Sequence, residues 1–275
     1  MTFNLRFEND LDGPNGWLCR RELVVRLIKR YKPSILGTQE GKCSQLLYLR
    51  DHLPDYHFHA PDRFLDDTCQ YPTICFRKKD FEALDGGEFW LSKTPDVHRS
   101  KNWGSAFPRM MSYAQLGLRE TGNFFWVAVT HLDHMSSEAR YQQAKILADW
   151  IRQKNGPIIL MGDFNDVPGS QVHRFLTTPN TCLKDTWRIT GREEGPNSHT
   201  HHGFNGTPQK GRLDWILAGP DFRVMDARII RDNFNGRYPS DHFPYGAELK
   251  FGMDERNIMS GKNAKTLPLS RENNL

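Results

Sequence analysis

The chain has 275 residues, of which 37% are hydrophobic, 25% charged and 12% aromatic. This length allows a full hydrophobic core, and the composition is that of an ordinary globular domain, which excludes fibrous and low-complexity proteins. The net charge of +4 and the pI of about 8.8 permit a phosphate-bearing partner, but the basic blocks typical of nucleic-acid-binding arms are absent from the sequence.

The five cysteines are scattered and form no Cys-x-x-Cys pair. This pattern argues against a disulfide framework or a thiolate zinc site and favours a reducing compartment. The longest apolar run, residues 124–129, is too short to span a membrane, and residues 1–20 carry charges throughout, unlike a signal peptide. We expect a cytoplasmic protein without a membrane span; the oligomeric state is not determined by the sequence, and a monomer is favoured.

The first half of the chain alternates short apolar runs with segments of helical periodicity. It predicts strands at residues 2–7, 34–40 and 74–76 and helices at residues 18–31 and 44–52. Residues 89–113 have no regular periodicity, which indicates an elaborated loop or lid.

The second half continues the same alternation. It predicts strands at residues 124–130, 157–162, 212–217, 224–230 and 247–251, helices at residues 136–154 and 173–176, and a polar loop at residues 188–210. Interspersed strands and helices without an internal repeat indicate one layered α/β domain over residues 1–251. Residues 252–275 are polar and contain no aromatic side chain, so we expect a disordered tail.

The most informative stretch of the sequence is residues 157–166, which read Pro-Ile-Ile-Leu-Met-Gly-Asp-Phe-Asn-Asp. The apolar run suits a strand that is covered on both faces, and the glycine lets Asp163 and Asn165 leave the strand end together. These two side chains can share a hydrated cation or a phosphate, although a turn is their ordinary explanation. An EF-hand is rejected, because the residues after Asp166 supply neither the third ligand nor the glycine.

Polar side chains at the predicted strand ends and in the following loops are rich in oxygen donors and contain no thiol. They are Asn4, Glu40, His131, Asp163, Asn165, Asp214, Asp241 and His242. Such oxygens favour Mg²⁺, with Mn²⁺ as the alternative, over structural zinc. Hydrolysis of a phosphate ester needs a metal, a group that activates water and donors for developing charge, and this set supplies each.

Taken singly, several of these residues have a plainer explanation. Asp214 fits the solvent face of an alternating strand, and His131 and His242 fit structural histidines. A zinc site at the histidines of residues 199–202 is less favoured than a substrate-facing loop, because cysteine and helical spacing are missing there.

Six short motifs, in order along the chain, resemble those of the endonuclease/exonuclease/phosphatase superfamily. They are Thr2-Phe3-Asn4, Gln39-Glu40, Thr130-His131-Leu132, Gly162-Asp163-Phe164-Asn165, Arg212-Leu213-Asp214-Trp215-Ile216 and Ser240-Asp241-His242. No single motif is specific, but six in order cover residues 2–242. The resemblance implies a four-layer α/β sandwich, in which two mixed β-sheets pack face to face with helices outside.

The resemblance also implies a role for most of these side chains. Glu40 would be the main Mg²⁺ ligand, with Asn4 and Asp241 near the metal. Asp163 would activate or orient the attacking water, and Asn165 would hold the phosphate.

Two histidines complete the implied site. His242, paired with Asp214, would stabilise the transition state or act as a base, and His131 would contact the phosphate or the leaving group. Related proteins often carry a glutamate before the strand that corresponds to residues 74–76, whereas this chain has Gln70. A carboxylate partner for His131 is therefore not expected.

Residues 89–109 and the stretch around residues 200–204 look similar to a bacterial-type branch of metal-dependent hydrolases. In this comparison Arg109, Arg140 and His202 are candidate substrate-binding residues.

The sequence predicts a Mg²⁺-dependent phosphoesterase that uses metal-activated water, with a nuclease or phosphodiesterase acting on DNA or RNA as the first expectation. A phosphatase of small molecules, such as sugar, nucleotide or lipid-headgroup phosphates, is the alternative, and the modest charge favours it. A non-catalytic module that binds nucleic acid or a partner is the minor alternative.

Overall fold

The computed structural model describes residues 1–60, 63 and 70–252. In these residues the secondary structure runs β1 (Thr2–Asn4), α1 (Trp17–Tyr31), β2 (Ile35–Gly41), α2 (Cys43–His52), β3 (Tyr56–His59), β4 (Tyr71–Arg77), β5 (Phe81–Trp90), β6 (Met110–Leu118), β7 (Phe124–His131), α3 (Ser137–Gln153), β8 (Ile158–Asp163), α4 (Gln171–Leu176), β9 (Lys184–Asp185), α5 (Thr186–Ile189), β10 (Asp214–Ala218), β11 (Phe222–Ile229) and β12 (Tyr245–Phe251). The predicted tail lies outside the described residues from residue 253 onward.

The strands form two mixed sheets of six strands each. The first has the order β11-β12-β1-β2-β4-β3, and the second has the order β5-β6-β7-β8-β10-β9. Near the middle of each sheet two neighbours are parallel, β1 with β2 and β7 with β8. The other pairs are antiparallel, so both sheets are mixed, as the predicted fold requires.

Three hydrophobic clusters show that the layers follow the order helix, sheet, sheet, helix. Between the sheets, Val127 and Val129 of β7 pack with Ile159 and Met161 of β8 and with residues of β4 and β12. The outer face of the second sheet packs against α3, and the outer face of the first sheet packs against α1 and α2. The predicted four-layer α/β sandwich is confirmed.

Strand β8 shows why its sequence is apolar at every position. Ile159 and Met161 face the other sheet, whereas Ile158 and Leu160 face α3. Successive side chains of a strand point to opposite faces, so a strand covered on both sides needs apolar residues throughout. This burial agrees with the sequence prediction.

Helix α3 begins where Ser136 caps it, since the Ser136 hydroxyl accepts a hydrogen bond from the backbone N–H of Ala139 at 3.1 Å. No helix in the described ranges is long and apolar enough to cross a membrane. Of the five cysteines, the four that lie in these ranges are not joined in disulfides.

The predicted lid at residues 89–113 is wrong at both ends. Its first residues finish β5 and its last residues begin β6, which leaves residues 91–109 as the loop. Strand β5 is an edge strand whose middle residues are exposed or half-buried, and it contains Gly86 and Gly87. Without a buried face it has no alternating apolar pattern, so the sequence did not reveal it.

Candidate active site

Four strands deliver polar residues to one end of the sandwich. Asn4 is the last residue of β1, His131 is the last of β7, and Asp163 is the last of β8. Asp214 opens the antiparallel strand β10 and pairs directly with Asp163. Parallel neighbours end at the same edge of a sheet, and the two sheets pack face to face, so residues distant in sequence meet here.

Glu40 reaches this site because β2 is irregular near its end. The pairing of β2 with β4 shifts between Thr38 and Gly41, and Glu40 has a left-handed backbone with φ of 63°. Such a bulge redirects a side chain, and left-handed non-glycine residues are often found at functional sites. The Glu40 carboxylate accepts hydrogen bonds from Asn4 Nδ2 at 3.2 Å and from the backbone N–H of Phe7 at 3.0 Å.

Asp163 links the two sheets. Its Oδ2 accepts a hydrogen bond from Asn4 Nδ2 at 2.9 Å, and its Oδ1 accepts one from the backbone N–H of Asn165 at 2.9 Å. Asn165 is itself left-handed, with φ of 48°. Gly162 is required for a different reason than predicted, because a Cβ there would lie 2.1 Å from the carbonyl oxygen of Thr130 on the neighbouring strand.

Asp214 and His242 form the predicted pair, with His242 Nδ1 2.8 Å from Asp214 Oδ2. The other ring nitrogen, Nε2, lies 3.9 Å from Asp163 Oδ2. The second oxygen of Asp214, Oδ1, is buried and has no hydrogen-bond partner. The pair is therefore aimed at Asp163 and leaves one carboxylate oxygen unsatisfied.

Burial and mutual repulsion shift the pKa values of these groups. Burial, followed by the nearby charge of Asp214, raises the pKa of Asp163, while His242 partly opposes the shift. Burial lowers the pKa of His242, but the carboxylates of Asp214, Asp163 and Asp241 outweigh it and raise the pKa above its ordinary value. The carboxylates of Asp163 and Asp214 therefore repel each other in this site.

These donors fit a hard divalent cation. Asp163, Asp214 and His242 have ligand atoms within 4.8 Å of one another, and so do His201, Asp241 and His242. Asp214 Oδ1 is an unpaired buried acceptor, and three of the five residues in these two groups are aspartates, with no cysteine among them. That chemistry suits Mg²⁺ or Mn²⁺ better than structural zinc.

Arg6, which the sequence analysis did not select, lies beside Asp241. Its Nε is 3.9 Å from Asp241 Oδ2, and two hydrogen bonds to Asp12, of 2.8 and 3.0 Å, hold the guanidinium. A charged side chain next to a predicted metal-binding residue is hard to infer from sequence, because the contact depends on the left-handed φ of 55° at Arg6.

Arg20 is a second residue that sequence reasoning missed. Its guanidinium is 1% exposed and donates to the carbonyl oxygens of Leu5, Arg6 and Pro239. It therefore joins the end of β1 to the loop that carries Asp241 and His242. Its helical spacing with the apolar residues Trp17 and Val24 was the available signal, since it places Arg20 on the inward face of α1.

His131 lies between two side chains. Its Nδ1 is 2.9 Å from Arg109 Nη1, and its Nε2 is 2.9 Å from Asn165 Nδ2 and 3.5 Å from Asp163 Oδ2. Burial and the nearby charge of Arg109 lower the pKa of His131 well below its ordinary value.

Arg109 was predicted to bind substrate, and a contact between Arg109 and a phosphate stays a prediction. It is 5% exposed, and its terminal nitrogens face the Nδ1 atoms of His131 and His134 at 2.9 and 3.2 Å. The guanidinium lies behind His131 and holds this ring.

His202 was also predicted to bind substrate, and this role stays a prediction. It is 0% exposed, its ring stacks on Phe243 with centroids 3.9 Å apart, and its Nδ1 accepts a hydrogen bond from Gly206. The neighbouring His201, which is only half-buried, reaches the site instead, with its ring edge-on to His242 at 5.1 Å. Strand-like alternation of side chains across this stretch explains why the two histidines point in different directions.

Arg140 lies on α3 near the turn after β8. Its Nη1 donates to the carbonyl oxygen of Asp133 at 3.1 Å, and its Nε is 3.7 Å from Asp166 Oδ2. These contacts tie α3 to the site, while a contact between Arg140 and a phosphate stays a prediction.

Asp133 anchors the loop at residues 91–109. It is 0% exposed and accepts hydrogen bonds from Ser105 and Ala106 on the loop and from Met135 and Ser136 after β7. The end of the loop nearest His131 is therefore fixed to the scaffold.

Comparison with known proteins agrees with this architecture. The mannosyl-6-phosphatase of Bacteroides thetaiotaomicron VPI-5482 is 29% identical over 91% of this chain and 98% of that chain, with a TM-score of 0.81. An endonuclease/exonuclease/phosphatase from Bacteroides vulgatus is 30% identical over 91% and 97%, with a TM-score of 0.83. Nocturnin of Drosophila melanogaster is 24% identical over 82% of this chain, and the match spans only 41% of that relative's length.

The family model described as the Endonuclease/Exonuclease/phosphatase family matches residues 1–242, which include every strand that contributes a residue to the site. This chain belongs to the Endonuclease/Exonuclease/phosphatase family, whose members are phosphoesterases.

Proposed function

We propose that this chain is a metal-dependent phosphoesterase that hydrolyses a phosphate monoester of a small polar molecule, such as a sugar phosphate. The observation that carries the proposal is the position of Asp163, which contacts Asn4 on one side and faces the Asp214–His242 pair on the other. In this proposal residues 1–251 act as one catalytic domain.

Glu40 would hold the cation, with Asn4 and Asp241 near it. A bound Mg²⁺ or Mn²⁺ supplies Lewis-acid polarisation of the phosphoryl oxygen. Asp163 accepts a hydrogen bond from the attacking water and orients it, a task that suits a carboxylate whose pKa burial has raised.

His242 and Asp214 stabilise the charge that develops at phosphorus. The Asp214 carboxylate holds His242 through Nδ1, so Nε2 is directed at the space beside Asp163. Asn165 would hold the phosphate, and His131, whose Nε2 lies 2.9 Å from Asn165 Nδ2, would contact the phosphate or the leaving-group oxygen.

Two observations support a small substrate. The mannosyl-6-phosphatase is similar to this chain over nearly its whole length. The chain also has a mild charge of +4, whereas tight binding to a nucleic acid usually neutralises several phosphates.

Nucleic acid was the first expectation from the sequence and is the second candidate substrate. D. rerio TDP2, solved with a single-stranded DNA product, has a TM-score of 0.70 to this chain. At 18% identity, this similarity shows only that the fold is shared. We therefore place the sugar phosphate first and include DNA in the test.

The test is a measurement of phosphate release from hexose 6-phosphates, nucleotides, p-nitrophenyl phosphate and single-stranded DNA. Each assay is run with Mg²⁺, with Mn²⁺ and with a chelator. We expect turnover of a monoester that requires the cation, and a loss of kcat of about 10²-fold or more in Glu40→Gln and Asp163→Asn.

Matched controls are Glu248→Gln and Asp149→Asn, which make the same chemical changes at exposed positions on β12 and α3. Both should keep wild-type rates. Full activity of Asp163→Asn would contradict the proposed mechanism, and cation-dependent cleavage of DNA without monoester turnover would contradict the proposed substrate.

A further inference from the structure

Lys210, in the loop before β10, is exposed and has a strained backbone. Its φ of 61° is left-handed, a conformation that side chains other than glycine rarely adopt and that is often found at functional sites. The N–H of Gln209 donates to the carbonyl oxygen of His201 at 2.7 Å. On the other side, the N–H of Thr200 donates to the carbonyl oxygen of Gly211 at 3.1 Å. The fold therefore fixes the backbone on both sides of this lysine.

The turn that carries Lys210 packs against the turn after β8. Gly211 lies so close to Val167 that a Cβ on this glycine would be 2.7 Å from Val167 Cγ1. Val167 comes directly after the Asp163, Asn165 and Asp166 stretch at the end of β8. Lys210 is therefore placed at the edge of the candidate site, beside the strand end that carries Asp163.

The Lys210 ammonium is near histidines from two loops of the site. Its Nζ lies 3.5 Å from His201 Nε2, and the His201 ring is edge-on to His242 at 5.1 Å. Burial and the charge of Arg109 lower the pKa of His134, after β7, and the charge of Lys210 adds to this shift. His242 is buried, His201 half-buried and Lys210 exposed. The ammonium is therefore at the mouth of the site, separated from His242 by one imidazole ring.

Lys210 differs from the arginines near the site, which are already engaged. Each of these donates to a carboxylate, a carbonyl oxygen or a histidine; they are Arg6, Arg20, Arg109 and Arg140. Lys210 makes no ion pair with any carboxylate in the part of the chain that the structure describes. An ammonium has three donors, and the contact with His201 uses one of them. The remaining donors suit an anionic oxygen, which lysine often binds as a point charge.

We propose that Lys210 binds a second anionic group of the substrate, distinct from the phosphate that is hydrolysed. This inference rests on the proposed phosphoesterase function and narrows its substrate class to hexose bisphosphates. The reacting phosphate would lie beside Asp163 and His242, whereas the ammonium lies one imidazole ring further out. A hexose with phosphates on opposite sides of its ring can reach both positions. Because Lys210 does not touch the reacting atoms, it acts on binding and changes KM more than kcat.

The first measurement is calorimetric binding to Asp163→Asn, in which turnover is expected to be slow, in the presence of Mg²⁺. We expect glucose 1,6-bisphosphate to bind about tenfold more tightly than glucose 6-phosphate. This advantage should decrease as the salt concentration rises, because salt screens exposed charges. Adding Lys210→Met should remove the advantage, and Lys210→Arg should keep most of it, since a guanidinium also donates to phosphate.

The second measurement is steady-state kinetics with the otherwise unchanged chain. Lys210→Met should raise KM for the bisphosphate about tenfold, with a much smaller effect on KM for the 6-phosphate. Lys250→Met is the matched control, because it makes the same change at an exposed lysine near the end of β12. This control should keep both KM values.

Equal or absent binding of the two sugars to Asp163→Asn would overturn the proposal, as would an advantage of the bisphosphate that survives Lys210→Met. Turnover of monoesters together with equal affinities would leave the proposed function in place and refute only the second anionic site. A protein that prefers the bisphosphate through Lys210 but hydrolyses no phosphate ester would support this site and refute the proposed function instead.

Discussion

Arg212 and Asp214 are only two residues apart, yet their side chains belong to two different clusters of polar groups. We call the first the Arg212 cluster; it consists of His173, Asp185, Glu194 and Arg212. We call the second the carboxylate cluster; it consists of Asn4, Glu40, Asp163, Asp214, Asp241 and His242. Arg212 lies two residues before Asp214, which is the first residue of β10, so one short stretch of the chain contributes to both clusters.

Every carboxylate oxygen of the Arg212 cluster has a partner. Arg212 donates to both oxygens of Asp185 and both oxygens of Glu194 at 2.6–3.3 Å. His173 lies 2.9 Å from Asp185, and Ser198 donates to Glu194 at 2.8 Å. Paired carboxylates of this kind can stay charged without a ligand, although Nδ1 of His173 in the same cluster is buried and has no hydrogen-bond partner.

The carboxylate cluster lacks this balance. Asp214 Oδ1 is unpaired, burial and Asp214 raise the pKa of Asp163, and Glu40 has a left-handed backbone. Buried unsatisfied groups and strained residues persist where another requirement maintains them. This comparison supports the proposal that the carboxylate cluster serves the chemistry, and we propose that the Arg212 cluster serves the fold.

The largest effect is expected from Asp214→Asn. Loss of the carboxylate removes the charge that stabilises protonated His242, so kcat should fall about 10³-fold. The free energy of unfolding should fall by less than in Arg212→Met, because loss of the Asp214 charge unpairs His242 but also removes its repulsion with Asp163. Kinetics and urea unfolding of the same preparation test both statements. A large loss of unfolding free energy together with the loss of kcat would contradict the distinction between the two clusters.

The reverse pattern is expected from Arg212→Met. Removal of the guanidinium leaves Asp185 and Glu194 without their cation, which should cost about 3–5 kcal/mol of unfolding free energy. The kcat of the folded fraction should stay within about twofold of wild type. Should kcat fall as far as in Asp214→Asn, the two clusters would not be separate in function.

A cation should stabilise only through the carboxylate cluster. Mg²⁺ or Mn²⁺ at a concentration of about 100 Kd should add about 2.7 kcal/mol to the unfolding free energy. Thermal unfolding with and without a chelator measures the shift. Arg212→Met should retain the shift and Glu40→Gln should lose it; an equal shift in Glu40→Gln would place the cation elsewhere.

The smallest effect concerns acid stability. Burial raises the pKa of Asp185, but hydrogen bonds from His173 and Arg212 outweigh burial and lower it. A lowered pKa means that this stabilisation is complete above the ordinary aspartate pKa of about 4 and is lost as the pH falls below it. Asp185→Asn should therefore unfold with a shallower dependence on pH in the acid range, and an unchanged slope would exclude this contribution.

The sequence by itself determined the fold class and most of the carboxylate cluster. Strand β8 is apolar on both faces, and α3 has a clear cap and a helical apolar stripe. These two elements could therefore be predicted from local sequence patterns. The site residues could be selected because a polar side chain directly after a buried strand is a local feature. Edge strand β5 has no buried face, so it left no such pattern.

Only the tertiary structure decided which atoms meet. The partner of His131 is Arg109 rather than a carboxylate, and His201 rather than His202 reaches the site. The Arg212 cluster joins residues far apart in sequence and has no periodic pattern. Spacing along the chain shows which residues end a strand, but the direction of a side chain and the neighbour it finds depend on the packing of both sheets.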